Sequence, residues 1–129
     1  MPQLTLTESD IREVDTEEQL CALLRKHRRT RYGKCSLAVS LHGLHQHQMD
    51  IAFVGNEAII HITPDTGLPP YMITLGCAER DGVVDLMLHG RHHTQIQCRH
   101  LVDFEVALDA IRFFWRFGEL SPEVQWEQI

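Results

Sequence analysis

Histidine and cysteine are the residues of this sequence best suited to hold a metal ion, and most of the histidines are clustered. One cluster is His42, His45 and His47, and the second comprises His89, His92, His93, Cys98 and His100. A zinc site needs three or four such ligands converging tetrahedrally, and His45 and His47 would share one face of a strand. Both clusters lie in stretches with Gly, Gln and Arg that are typical of loops, and no C-x-x-C pair is present. We therefore favour exposed loop histidines without a cofactor, and a metal site at His42, His45 and His47 is the alternative.

Nucleophilic and hydrolytic chemistry finds little support in the sequence. There is no G-x-S-x-G motif and no Gly-rich phosphate-binding loop. The H-x-E and P-C-x-x-C signature of zinc deaminases is also missing. With four cysteines and nine histidines, a Cys/His pair in space carries little weight, and a buried unreactive thiol is the default. We expect no catalytic residues, so the chain is not expected to be an enzyme.

Length and charge limit the class of protein and of partner. A chain of 129 residues predicts a single domain, residues 1–129. Eighteen acidic against twelve basic residues give a net charge of −6, which argues against nucleic-acid binding and fits a basic protein partner. Six basic residues occur between Arg25 and Lys34. We interpret them as the C-terminal end of a helix, whose dipole favours cations there.

The compartment is predicted from what the sequence does not contain. No apolar run approaches the roughly 18 residues of a membrane span. The first residues have no basic leader and no apolar core of a signal peptide. The four cysteines are scattered, so we expect reduced, largely buried thiols. The expected protein is cytoplasmic, with no membrane partner, and a monomer or weak dimer when free.

Helix and strand signals alternate along the chain. Thr16 to Gln19 has the form of a capping box, and the apolar spacing behind it predicts a helix to about Arg28–Arg29. Gly55-Asn56 predicts a type II′ hairpin turn between two β-rich runs. Asp81-Gly82 predicts a turn that would pair residues 71–77 with 83–89. The predicted strands are 35–42, 47–54, 57–63, 71–77, 83–89 and 94–98, with a proline-rich loop over 63–71.

A second helix and a last strand close the pattern. Asp103 is a suitable N-cap and Gly118 a suitable C′ residue. The apolar positions between them, Val106, Ala110, Phe113 and Phe117 included, predict a helix buried over more than half of its girth. Residues 123–128 predict a strand with Val124 and Trp126 on one face. The fold class is therefore α+β, a single domain with a mainly antiparallel sheet of about five to seven strands and two helices packed on one face.

Two stretches resemble a known family. "MDIAFVGNEAIIHITPD" (49–65) and "VDFEVALDAIRFFWRFGELSPEVQWEQI" (102–129) are similar to the central hairpin and the C-terminal signature of bacterial polymorphic-toxin immunity proteins. That family includes the immunity protein of a double-stranded-DNA cytosine deaminase toxin. The motif positions are Phe113, Phe114, Gly118, Pro122 and Trp126, for which the resemblance implies structural packing. It also implies an α+β protein that binds a toxin domain, a nucleic-acid-targeting deaminase or nuclease, and blocks its active site or substrate cleft.

Acidic residues near predicted strand ends and loops are the candidates for toxin contact. They are Asp50, Glu57, Asp65, Glu79 and Asp81, with Tyr71 at the end of the proline-rich loop. An acidic surface would complement the basic cleft of a toxin that acts on nucleic acid. Two other functions stay open at this point: a small metal-binding enzyme or sensor built on the histidine clusters, and an adaptor or chaperone for an effector.

Overall fold

Ten strands form one sheet within the part of the chain that the computed structural model describes, which is residues 2–7, 10–27, 36–88 and 92–129. Two α-helices, α1 (Glu17–His27) and α2 (Phe104–Phe117), complete a single α+β domain, as predicted. The strands are β1 (Gln3–Thr7), β2 (Asp10–Glu13), β3 (Ser36–Leu44), β4 (His47–Val54), β5 (Glu57–Pro64), β6 (Met72–Leu75), β7 (Val83–Leu88), β8 (His92–Gln97), β9 (Val102–Asp103) and β10 (Gln125–Gln128).

The sheet is antiparallel except at one pair. Its main strand order is β10-β6-β5-β4-β3-β1-β2. One edge of β3 is shared: residues 40–42 pair with β1, and Ser36–Ala38 pair in parallel with β7. β7 also forms an antiparallel hairpin with β8. The centre is the β4–β5 hairpin, and Gly55 in its turn has φ +60°, as the predicted type II′ turn requires.

Alternation along the central strands divides the apolar side chains between the two faces of the sheet. Met49, Ile51 and Phe53 of β4 belong to the large core, together with residues of both helices. Ala52 lies on the opposite face in a second, smaller cluster with Ile59, Ile73 and Leu101. Val84 and Ile96 of the β7–β8 hairpin pack against this smaller cluster. The two helices therefore contribute to one core, as predicted, and the β7–β8 hairpin contributes to the other.

The predicted residues cap the helix ends, with one difference: a capping box would bond the Gln19 side chain to the amide of Thr16, whereas in the structure it bonds to the amide of Asp15. Thr16 Oγ1 accepts a hydrogen bond from the amide of Gln19 at 3.1 Å, and the Gln19 side chain accepts from the amide of Asp15 at 2.9 Å. The Asp103 side chain accepts from the amide of Glu105 at 2.9 Å. Gly118 ends α2 with φ +67° and donates its amide to the carbonyl of Phe114. In α1 the described helix reaches His27, so its predicted end at Arg28–Arg29 lies outside the described residues.

The predicted pairing of residues 71–77 with 83–89 is wrong. β6 pairs with β5 and β10, whereas β7 pairs with β3 and β8. The amides of Gly76 and Cys77 at the end of β6 instead donate to the carbonyl of Arg99. A turn signal such as Asp81-Gly82 shows where the chain bends, but it does not determine which strand lies beside it. The strands β1 and β2 were not predicted, because both are short and mostly polar on their outer face.

Residues 98–103, which we call the wedge, lie between β5 and β6 where these two strands separate. Only two residue pairs join β5 to β6, and farther along β5 pairs with β9 instead. At the branch point Thr74 Oγ1 accepts from the amide of Ile60 at 3.2 Å and donates to the carbonyl of His100 at 2.9 Å. The approach of the wedge is close, since a Cβ on Gly76 would lie 1.8 Å from the Leu101 carbonyl oxygen.

The C-terminal residues complete the sheet, whereas α2 is less buried than predicted. β10 pairs with β6, Val124 is buried, and the Trp126 indole donates to the carbonyl of Ser121 at 3.0 Å. On α2, Ala110 is buried as expected, but Val106 and Phe117 are 39% and 61% exposed. The helix lies at the surface, so one stripe of it faces the sheet, and two of the additional apolar positions, Val106 and Phe117, face solvent.

No α-helix in the ranges described above combines the length and the apolar character that crossing a membrane requires.

Candidate functional site

The predicted contact residues lie in separate parts of the structure. Asp50 and Tyr71 are brought together by His61, on the sheet face opposite the helices. Glu57 is joined to Arg80 by a 2.7 Å ion pair, and Arg80 has Glu79 and Asp81 as its chain neighbours. Asp65 is exposed in the turn that follows β5. The contact residues therefore form two groups, with Asp65 apart from both.

Asp50 lies in the middle of β4 and is not exposed at a strand end, so that expectation is wrong. It is directly opposite Ser40 on β3 and His61 on β5. Ser40 Oγ and Gln48 Nε2 donate to its carboxylate, and His61 Nδ1 lies 3.7 Å from it. Burial raises the pKa of Asp50, but the hydrogen bonds from His61, Ser40 and Gln48 together outweigh burial and hold this pKa below its ordinary value.

This network is built to hold a carboxylate in place and not to activate a nucleophile. Asp50 stands between Ser40 and His61, whereas a Ser-His-Asp triad needs the imidazole between the hydroxyl and the carboxylate. Next to it, the rings of His61 and Tyr71 lie with centroids 6.4 Å apart. The Tyr71 hydroxyl donates to the carbonyl of Gly67 at 2.5 Å, a bond within the proline-rich loop. The ring contact with His61 places this loop beside β5.

A groove of about 490 Å³ lies where β5 and α2 begin and β6 ends. The carboxylates of Glu57, Asp103 and Glu123 border it, and we call it the acidic groove. Its apolar lining is contributed by Leu75, Leu101, Val102, Val106 and Val124. Together with Glu79 and Asp81 of the adjacent loop, the groove-lining residues carry five carboxylates and one guanidinium, that of Arg80, so this set has a formal charge of −4.

A second concavity, of about 420 Å³, lies at the C-terminal end of α2, and we call it the apolar pocket. Its walls are mostly apolar: Ile62, Pro64, Pro70, Met72, Phe114 and Leu120. His47 and Glu119 supply its polar groups. The two concavities therefore lie at opposite ends of α2, which with 14 residues is about 21 Å long.

The first histidine cluster stabilises the β3–β4 turn. His45 Nε2 donates to the carbonyl of Trp115 at 2.8 Å, and His47 Nδ1 donates to the carbonyl of His45 at 2.7 Å. Both rings meet the Phe114 ring edge-on, with centroids 5.8 and 5.4 Å away. These contacts hold the turn against α2. Among the described side chains, no three from His, Cys, Asp and Glu are placed to hold a metal ion.

The second cluster is only partly described. His100 is buried in the wedge, and its Nδ1 donates to the carbonyl of Thr74 at 3.1 Å. His89 lies outside the described residues, as do the side chains of His92 and His93. Cys98 is half-buried and belongs to the edge of the smaller core.

The thiols differ from the expectation in one position. Cys21, Cys77 and Cys98 are free, and burial raises the pKa of the Cys21 thiol. Cys77 is exposed and lines the acidic groove, so the prediction of largely buried thiols is wrong there. Cys35 lies outside the described residues.

Sequence reasoning missed two groove residues and most of the apolar pocket. Asp103 was assigned only a capping role, and Glu123 only a place in the last strand. An available signal was the excess of apolar residues on α2: Val106 and Phe117 lie outside the stripe that the sheet buries. Surface-directed apolar residues on a helix are typical of a binding surface.

Comparison of the chain with protein-family models gives no match, and comparison with curated proteins gives none either.

Proposed function

We propose that this chain is an immunity protein that binds a bacterial toxin domain and blocks its active site or substrate cleft. The observation that carries the proposal is the acidic groove with the adjacent 77–82 loop, which together carry five carboxylates and one guanidinium. The toxin in question is one that acts on nucleic acid, a deaminase or a nuclease. Such an enzyme must attract a polyanion, so its cleft is basic.

The charge arrangement suits rapid association with a basic cleft. Complementary charges steer encounter and raise association rates, and this effect weakens as salt screens it. The groove also offers apolar contact at its base through Val106 and Val124, so a bound lysine or arginine could pack its aliphatic stem there. The charge therefore orients the partner and speeds its association, and the apolar lining provides contact area.

The resemblance of residues 102–129 to immunity proteins supports the same function. In the structure this segment contains α2, Gly118 in its left-handed conformation, and β10 with the half-buried Trp126. Phe114 is buried, Phe113 is half-buried beside Phe117, and Pro122 is exposed in the turn before β10. These residues belong to the helix that borders both concavities and to the segment that leads into the last strand, which borders the groove. The motif thus supports the surface, and two of its members, Phe114 and Gly118, also line the apolar pocket.

The proposal is tested with the protein encoded by the adjacent reading frame, which we expect to be the toxin. Co-expression with this chain is expected to restore growth, and the purified pair is expected to form a one-to-one complex. A chaperone would instead be needed for the partner's solubility or export, so toxin that stays soluble and active when made alone would exclude that alternative. If the unaltered chain neither binds the toxin nor restores growth, the proposal is wrong.

Charge reversal then tests the acidic groove. The double variant Glu79→Lys/Glu123→Lys changes two exposed side chains, and we expect about tenfold slower association because the local charge moves from −4 to about 0. The matched control is Glu13→Lys/Glu18→Lys, which makes the same change in net charge on β2 and α1. The control is expected to stay within about threefold of the unaltered protein. Equal effects of the two double variants would show that only net charge matters and would exclude the groove.

A further inference from the structure

The apolar pocket has the size and walls of a site for one large side chain. Its volume of about 420 Å³ lies within the range of about 300 to 1,000 Å³ of small-ligand sites. The buried ring of Phe114 forms part of its wall, and Met72 and Pro70 border it on the side of the proline-rich loop. Flexible thioethers and rings make favourable contacts with aromatic groups, so these walls suit an aromatic side chain better than a small aliphatic one.

Two exposed apolar side chains belong to the segments that line the pocket. Leu68 and Phe117 are 65% and 61% exposed, the highest values among the large apolar side chains that the structure describes. Leu68 lies in the loop between the pocket-lining Pro64 and Pro70, and Phe117 immediately precedes the pocket-lining Gly118. Neighbouring exposed apolar groups around a concavity are typical of a protein-binding surface.

Two carboxylates belong to the segments that line this apolar area. Glu119 lines the pocket, and Asp65 follows the pocket-lining Pro64 in an exposed turn. The partner side chain that enters the pocket would therefore be followed by Lys or Arg in a complementary interface. This is the same charge preference that the acidic groove shows at the other end of α2.

We infer that the apolar pocket receives one aromatic side chain of the toxin domain, flanked by a basic residue, and that this contact carries most of the affinity. The inference rests on the proposed function. The groove and the pocket are about 21 Å apart, the length of α2. A typical interface buries about 800 Å² on each partner, a patch roughly 30 Å across, so one partner covers both sites. Aromatic anchors in pockets are the usual sites of high interface energy, and rim charges mainly set the association rate.

The first experiment needs no toxin. Methyl-labelled protein is titrated with N-acetyl-tryptophan amide and followed by NMR. Saturable shifts are expected at the methyl groups of Met72 and Ile62 in the pocket, and none at Leu20 of α1, whose side chain is fully buried in the core. Shifts at Leu20 as large as those at Met72, or no shift at Met72, would overturn the inference.

The second experiment uses the toxin domain of the adjacent reading frame and measures association and dissociation rates. Leu68→Ser and Phe117→Ser are each expected to speed dissociation about tenfold, because exposed apolar contact area beside the pocket is lost. The matched controls are Ile11→Ser and Val83→Ser, which shorten side chains that are 54% and 59% exposed on β2 and β7. The controls are expected to stay within about twofold. All four residues are more than half exposed, so thermal unfolding should change little in any variant.

The outcomes separate the inference from the proposed function. If the unaltered chain binds toxin and the Leu68 and Phe117 variants dissociate no faster than the controls, the pocket is not the anchor, and the proposed function stands. If the unaltered chain does not bind toxin, the proposed function is wrong and the inference falls with it. Faster dissociation confined to the two pocket variants supports both.

Discussion

Replacing Gly76 by alanine would put a methyl group into the space that the wedge occupies. The Cβ would lie 1.8 Å from the Leu101 carbonyl oxygen and 2.9 Å from its carbonyl carbon. Contacts of Cβ with other heavy atoms essentially never fall below 3.0 Å, so the oxygen must move by at least 1.2 Å, the difference between 3.0 and 1.8 Å. The nearest atoms belong to backbone, and no side-chain rotation can relieve the contact.

That displacement would disrupt the hydrogen bonds that attach the wedge to β6. The amides of Gly76 and Cys77 donate to the Arg99 carbonyl at 2.9 and 3.1 Å, and lengthening them by about 1 Å would break both. Two lost hydrogen bonds cost about 1 kcal/mol each, and overpacking adds about 1–3 kcal/mol. The expected loss in the free energy of unfolding is therefore about 3–5 kcal/mol. For a chain of this length, about 4 °C in Tm per kcal/mol predicts a drop of about 12–20 °C.

Gly55→Ala is the matched control, measured in parallel by circular dichroism during thermal unfolding. Gly55 has φ +60° and no atom within 4 Å of an added Cβ, so alanine there is penalised only by its backbone conformation. That conformation costs about 1–2 kcal/mol, or about 4–8 °C. The close contact between the wedge and β6 would be refuted by either of two results: a Tm of Gly76→Ala within about 3 °C of that of the unaltered protein, or a Tm higher than that of Gly55→Ala.

Two further predictions concern the last strand and the α1–α2 contact. Truncation after Ser121 removes β10 and with it the packing of Val124 and Trp126, so we expect loss of the folded far-UV circular dichroism spectrum at room temperature; a truncated chain that melts like the full one would contradict this. Glu17 is buried and accepts hydrogen bonds from Arg116 and Arg112, which lower its pKa below the ordinary 4.5. The stability from this charge is complete above the unfolded-state pKa and is lost as pH falls through the lower folded-state pKa. Glu17→Gln should therefore reduce Tm at pH 7 and progressively less below about pH 4.5, and a difference in Tm independent of pH would refute the ion pairing.

Local signals predicted the ends of elements well, because capping chemistry is contained in a few adjacent residues. Thr16, Asp103 and Gly118 mark helix ends in the sequence and do so in the structure. Gly55 marks the hairpin turn for the same reason: a positive φ is inexpensive only for glycine. The β-rich runs 47–54 and 57–63, on either side of this turn, likewise predicted the central strands.

Partners distant in sequence were less predictable, since they depend on packing. Nothing near β6 in sequence indicates that the wedge, more than twenty residues later, will occupy one side of it. The environment of Asp50 was not predicted for the same reason, because Ser40 and His61 become its neighbours only when β3, β4 and β5 align. The acidic groove combines residues from four segments, so Glu57 could be proposed as a contact residue, but its neighbours Asp103 and Glu123 and the shape of the groove could not.

The acids at the groove differ in how freely they can be substituted. Asp103, which belongs to the wedge, also has a structural role, whereas Glu79 and Glu123 do not. Asp103 pairs with Glu57 through the backbone, and its side chain caps α2, so exchanging it would disturb the helix as well as the surface. Glu79 and Glu123 are exposed residues of loop and turn, and substitution there leaves these contacts in place. If the proposed function is right, related chains that bind different toxins are expected to differ at positions 79 and 123 and to keep the aspartate at 103.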